Sequence, residues 1–148
     1  MSPIYDRLVN LMTEAIKARD TDRATTLRTL KSALDTAQKD SKDTLDDGSV
    51  IFVLQKEAKK RHDALNMYKQ SGREDLVQKE QAELNIINSL LPQQMEDSDL
   101  EAIIRATITE TGAESIKDMG KVMGIVIKKV QGKADGTRIA DCVKKHLL

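Results

Sequence analysis

The sequence predicts an all-α protein built from two helical units. Apolar residues recur at three- and four-residue spacing through nearly every segment, and cap and breaker residues punctuate that rhythm. No window alternates apolar and polar residues between hairpin turns, so strands are not expected. Residues 1–92 should form an N-terminal unit of four helices, two of them a long antiparallel hairpin. Residues 96–148 should form a C-terminal unit of three.

Ser2-Pro3 supplies an N-cap and a proline at the first helical position, and Ile4, Leu8, Leu11 and Ala15 then share one face. A second helix follows Asp20-Thr21, with Leu27, Leu30, Leu34 and Ala37 inward. Lys39 to Gly48 is polar and turn-rich, which predicts a loop. A third helix carries Ile51, Leu54, Ala58, Leu65 and Tyr68 and ends near Ser71-Gly72. Ser71-Gly-Arg-Glu74 fits a capping box, in which serine and glutamate satisfy free N–H groups reciprocally. It should open a fourth helix through Leu76, Leu84, Ile87 and Leu91, stopped by Pro92.

In the second unit Ser98-Asp-Leu-Glu101 is another capping box, before Leu100, Ile103, Ile104 and Ile108. Ser115-Ile-Lys-Asp118 should start the next helix, with Met119, Val122, Met123, Val126 and Val130 inside. Asp135 is placed to cap the last, where Ile139, Val143 and Leu147 line one face. A unit of about 50 residues is marginal alone and should gain stability by docking.

The composition bounds the function. Two Tyr, one Phe and no Trp weaken any proposal of base-stacking platforms. One cysteine excludes an intramolecular disulfide. The first residues show no charged segment followed by an apolar one, and no apolar run approaches the roughly 20 residues of a membrane span. A soluble, cytoplasmic protein without a membrane partner is the expectation.

The net charge is zero, yet Ser115 to Leu148 holds eight Lys/Arg against three Asp/Glu, while the preceding residues hold 16 against 21. An acidic front and a basic rear point to an anionic partner for the rear. Candidate nucleic-acid contacts are Lys117, Lys121, Lys128, Lys129, Lys133, Arg138, Lys144 and Lys145. Five of the seven glycines also fall between Gly112 and Gly136. Gly120 and Gly124 cost about 1 kcal/mol each relative to alanine inside a helix, so a reason for them is expected. Either a helix packs closely there or a nucleic-acid backbone approaches. Gly132-Lys-Ala-Asp-Gly136 leads into a helix N-terminus and reads either as a phosphate cradle or as a plain connecting loop.

Other chemistry is thin. Cys142 and His146 are four apart on one helix, but no second cysteine exists and His62 lies far off in sequence. A small thiol beside a polar edge residue is the expected reading, with no metal site, no cofactor and no catalytic constellation. Lys56, Lys59, Lys60 and Arg61 form a second basic cluster, diluted by Glu57 and Asp63 and expected to be a charged outer face.

Several segments resemble one family. They are Leu27-Arg-Thr-Leu-Lys-Ser-Ala-Leu34, Leu54-Gln-Lys-Glu-Ala-Lys-Lys-Arg61, Gly72-Arg-Glu-Asp-Leu76 and Leu90-Leu-Pro92. Asp118-Met-Gly-Lys-Val-Met-Gly124 and Gly132-Lys-Ala-Asp-Gly136 are the most specific. Together they resemble the YqeY-like family over nearly the whole chain. In that family the C-terminal unit is similar to the tail domain of the B subunit of glutamine-dependent aspartyl/glutamyl-tRNA amidotransferase, hence the name GatB/YqeY. The family often carries the label of a carbon–nitrogen ligase with glutamine as amido-N-donor.

In the amidotransferase, glutamine hydrolysis belongs to a separate amidase subunit and amide transfer to another domain of the B subunit, while the tail helps to grip tRNA. The resemblance therefore implies a non-catalytic, tRNA-interacting or amidotransferase-associated module. Its partners would be tRNA and the tRNA-dependent amidotransferase or aminoacyl-tRNA machinery. One alternative is an accessory to tRNA-dependent amidation; another is a protein-binding adaptor that uses the hairpin. Ile125 to Val130 departs from the family, since many relatives carry a proline before the lysine, and this helix should run uninterrupted.

Overall fold

A computed structural model of the chain describes residues 2–148. Among them are seven α-helices and no strand, so the protein is all-α. The chain divides into two compact units, Met1–Leu91 and Pro92–Leu148. No helix among the described residues is long and apolar enough to cross a membrane.

In the first unit α1 (Pro3–Lys17) begins where Ser2 Oγ accepts the Tyr5 N–H at 3.1 Å, with Pro3 in the first turn. α2 (Thr21–Asp40) is capped by Asp20, which accepts from the Arg23 N–H at 3.2 Å. α3 (Asp47–Gln70) is capped by Asp46, which accepts from Ser49 at 2.8 Å. The loop expected over 39–48 is therefore shorter. α2 continues through Asp40, and the same aspartate-rich run supplies the cap and the acidic first turn of α3, where the helix dipole favours it. Leu8, Leu27, Leu30, Leu34, Val50, Leu54 and Ile87 are fully buried, an aliphatic core shared by α1, α2, α3 and α4 (Glu74–Leu90).

The α3–α4 hairpin extends beyond that core. Its far half rests on buried Leu65 and on Arg61, which pairs with Glu57 of its own helix and reaches Glu83 of α4 at 3.7 Å. Ser71, expected to open α4, instead closes α3: its hydroxyl donates to the Tyr68 carbonyl at 3.3 Å. Gly72 at φ 71° makes the left-handed turn that separates Ser71 from α4, and the residue before α4 is Arg73. Glu74 and Asp75 serve that helix start by charge alone, with no capping hydrogen bond from Arg73.

In the second unit α5 (Asp97–Thr111) starts one residue before Ser98, so the capping box expected there does not form. Glu96 precedes the helix, and Asp97 and Asp99 lie in its first turn. Ser115 stands before a 3₁₀ turn, Ile116–Asp118, and the Asp118 carboxylate accepts from the N–H groups of Glu114 at 3.0 Å and Ser115 at 3.4 Å. α6 (Met119–Val130) follows without interruption, and α7 (Gly136–Leu147) is capped by Asp135, which accepts from Arg138 N–H at 2.8 Å. Leu100, Ile104, Val122, Val126, Val130, Ile139 and Val143 make the second core.

The unit also claims the segment before residue 96. The Met95 N–H donates to the Lys133 carbonyl at 2.8 Å, and Gln94 Nε2 donates to that of Gly132 at 3.3 Å. Residues 94–95 are thus part of the C-terminal unit rather than a free spacer.

One polar clasp joins α1 to α2. The Tyr5 hydroxyl donates to Asp35 Oδ1 at 2.8 Å, and Lys31 Nζ lies 2.8 Å from Asp35 Oδ2. The hydrogen bond from Lys31 holds the Asp35 carboxyl below its ordinary range, while burial raises the Tyr5 hydroxyl. A depressed carboxylate stabilises above its unfolded value, about 3.9, and that stabilisation is lost as pH falls through the folded value. Asp35→Asn should therefore lower Tm at pH 7, and the gap to the native chain should shrink in acid. Thermal melts at pH 7 and pH 3 test this; a gap constant with pH would remove the carboxylate from the clasp.

Candidate nucleic-acid interface

The second unit revises the picture of an acidic front and a basic rear. Residues 1–91 hold 15 Lys/Arg and 15 Asp/Glu, and residues 92–148 hold nine of each. The acidic excess sits in residues 92–114, with six Asp/Glu and one Arg, in the same compact unit as the lysines. The unit is bipolar and its charges partly cancel.

That cancellation sorts the candidate cations. Lys129 Nζ donates to the Thr107 hydroxyl and to Glu110, each at 3.0 Å, and so ties α6 to α5. Arg138 donates to the Met95 carbonyl at 2.9 Å and to Asp97 at 2.8 Å, holding α7 to the start of α5. Lys145 approaches Glu101 at 3.9 Å. Lys117, Lys121, Lys128, Lys133 and Lys144 are exposed and, among the described residues, lack a carboxylate within ion-pair distance.

Lys121 and Lys128 share a face of α6. Val122, Val126 and Val130 point into the core at four-residue spacing. Residues two apart on a helix point to nearly opposite sides, so Gly120 and Gly124, flanking Val122, face outward. Both are exposed, and a Cβ added at either would meet nothing within 4 Å. Close helix packing is therefore not what these glycines serve. Lys121, Gly124 and Lys128 stand at i, i+3 and i+7 along one outward strip, with Lys117 just before it and Ile127, 49% exposed, at its edge. Ile127 was hidden in the apolar run of the sequence; falling next to Val126, off the four-residue stripe, is the signal that marks it as outward.

The loop after α6 is built differently from a phosphate cradle. Gln131 and Gly132 take successive left-handed conformations, φ 51° and 81°. Asp135 then places its own carboxylate at the N-terminus of α7, where an anion would sit. Gly136 is the first residue of α7, with open space where its Cβ would be. The N-terminus is satisfied from within, and the free element of this loop is the exposed Lys133 side chain.

Cys142 and His146 do share a face, but both ring nitrogens are engaged. Nδ1 lies 2.9 Å from the Cys142 carbonyl, and Arg105 Nε donates to Nε2 at 3.3 Å. The thiol is 3.9 Å from Nδ1, and burial, aided by Glu101, pushes it above its ordinary range. An activated nucleophile requires the reverse. No group of three or more metal-ligating side chains occurs among the described residues. On the hairpin, Glu57 takes up Lys60 at 3.3 Å and Arg61, which neutralises half of that basic cluster and leaves Lys56 and Lys59 exposed.

The outward glycines give a direct test. Gly124→Ala should hold or raise thermal stability, by up to about 1 kcal/mol from helix propensity. Chemical denaturation measures it, and a clear loss of stability would place a packed neighbour against α6 after all.

The family model of the YqeY-like proteins matches residues 5–147. A protein of Pyrenophora tritici-repentis named altered inheritance of mitochondria protein 41, mitochondrial, is 24% identical over 133 residues, covering 88% of this chain and 73% of its own. The Vanderwaltozyma polyspora protein of that name is 30% identical over 114 residues, covering 72% of this chain and 61% of its own. An uncharacterised Schizosaccharomyces pombe protein is 34% identical over 80 residues, covering 54% of this chain and 65% of its own. The chain thus spans less than two thirds of the length of the last two. The names of the first two place those proteins in mitochondria, which overturns the cytoplasmic expectation drawn from the sequence. With its model matched across nearly the whole length, the chain belongs to the YqeY-like family.

Proposed function

We propose that this chain is a non-catalytic RNA-gripping module, with transfer RNA as its ligand and amidotransferase or aminoacyl-tRNA machinery as its setting. The observation that carries the reading is the outward strip of α6. Free lysines there border a surface with no side chain between them at Gly120 and Gly124. Residues 92–148 contain no Phe, Trp or Tyr, so base stacking has no platform. Its two arginines are engaged internally, Arg105 with His146 and Arg138 with Asp97. What remains is lysine, a point charge suited to phosphate rather than to the bidentate reading of base edges. The ligand is thus gripped by its backbone, and discrimination by base sequence is weak.

Binding of a transfer RNA transcript across a salt series tests this. Each phosphate contact contributes about 0.7–0.9 to the slope of log affinity against log salt. Replacing Lys117, Lys121 and Lys128 with glutamine should flatten the slope by about 2–3. Lys129→Gln should lower thermal stability and leave the slope nearly unchanged, because its ammonium is held by Thr107 and Glu110. An unaltered slope in a folded triple variant would move the contact off α6.

A further inference from the structure

The far half of the α3–α4 hairpin is held differently from the rest of the first unit. Among the described residues from 55 to 85 only Leu65 is buried, and it lies apart from the core that takes in Leu54, Ile86 and Ile87. Glu57 and Arg61 fall between Leu54 and Leu65 at three- and four-residue spacing, so the inward stripe of α3 turns polar for two turns. On α4, Glu80 and Glu83 stand one turn apart on the same side, between Val77 and Ile87. Charge takes the place of apolar packing here.

The charges do not balance. The Arg61 and Glu57 side chains are 12% and 13% exposed, and Glu83 is 21% exposed. Arg61 pairs with Glu57 and reaches Glu83 at 3.7 Å. Glu57 also has Lys60 at 3.3 Å, but that ammonium is largely in water and contributes little. Half-buried Glu80 has no cation within ion-pair distance among the described residues. The charges that act on it are Glu83 and Lys79 of its own helix and Arg61 of α3, with Glu57 behind Arg61. Burial, and after it the Glu83 carboxylate, push the Glu80 carboxyl above its ordinary range against the pull of Arg61 and Lys79. A proton taken up there is shared by the Glu80–Glu83 pair and leaves two carboxylates to one guanidinium.

We infer that the far half of the hairpin is an acid-tightened arm, in which Glu57, Glu80 and Glu83 crowd one guanidinium and a proton between Glu80 and Glu83 draws α4 onto α3. A raised carboxyl costs stability when ionised. The arm therefore tightens as pH falls through the folded value of Glu80, and the gain is complete below the unfolded value, about 4.3. This is opposite in sign to the Asp35 clasp. The device lies wholly within the first unit and does not rest on the RNA reading.

Hydrogen–deuterium exchange of the full chain, corrected for the intrinsic pH dependence of the amide rates, is the test. Relative to the amides of α2, those of residues 62–79 should gain at least about twofold in protection between pH 7 and pH 5. Glu80→Gln should give the acid level of protection already at pH 7 and lose most of the response. Asp63→Asn, which removes an exposed carboxylate of the same hairpin, should keep it. Carboxyl-carbon NMR gives a second reading on the native side chains: Glu80 should titrate above about 4.3, and lower in Glu83→Gln. An arm equally protected at both pH values, an arm that loosens in acid, a native response in Glu80→Gln, or a Glu80 midpoint at or below the ordinary value would overturn the inference.

Discussion

The period of the α-helix decides what the C-terminal unit can offer. A unit of 57 residues, Pro92–Leu148, has little apolar surface to spare and must bury every strong stripe it has. In α6 that stripe is Val122, Val126 and Val130, at four-residue spacing. Once these point inward, the residues two positions away point outward, and these include Gly120 and Gly124. The outward strip is thus a geometric consequence of the core.

Charge then sets which cations remain available. The acidic residues of α5 lie within the same unit as the lysines, and the pairs they make are mostly exposed and individually weak. Their effect is selection more than stabilisation. Lys129 and Arg138 are drawn into inter-helix contacts, whereas Lys121 and Lys128, on the side of α6 away from the core, stay free. A basic segment counted along the sequence therefore overstates the positive surface, and the residues that face outward together define it.

The fold class and the inward stripes were legible in the sequence because periodicity and burial obey one rule. Leu27, Leu30 and Leu34, or Ile139, Val143 and Leu147, are buried where their spacing puts them. The helix starts were less legible. Serine–glutamate spacing occurs at Ser71 and Ser98, yet Gly72 turned the chain after Ser71 and Asp97 opened α5 one residue early. The glycines misled for a related reason. Gly120 and Gly124 are sequence neighbours of Met119 and Met123, which pack against the core, and adjacency in sequence is a 100° rotation on a helix. The carboxylate cluster around Arg61 left no trace in any single segment, because it exists only where two helices meet.

The two outward glycines sharpen the functional question. Each costs a helix about 1 kcal/mol relative to alanine, in a unit with little stability in reserve. Neither occupies a left-handed conformation that would demand glycine, and neither touches another element. Within the C-terminal unit nothing is packed where a methyl group at either position would go. Under the reading proposed above, an RNA backbone would approach the α6 backbone there more closely than a methyl group allows. A polyanion would do so while meeting Lys121 and Lys128 on either side of Gly124, and its phosphates would gain from the nearness of both. A flat protein surface would gain from the missing methyls as well, but it would bury two ammonium groups without partners unless it supplied carboxylates in the same register. The RNA backbone of the proposed reading would meet both requirements with one repeating group.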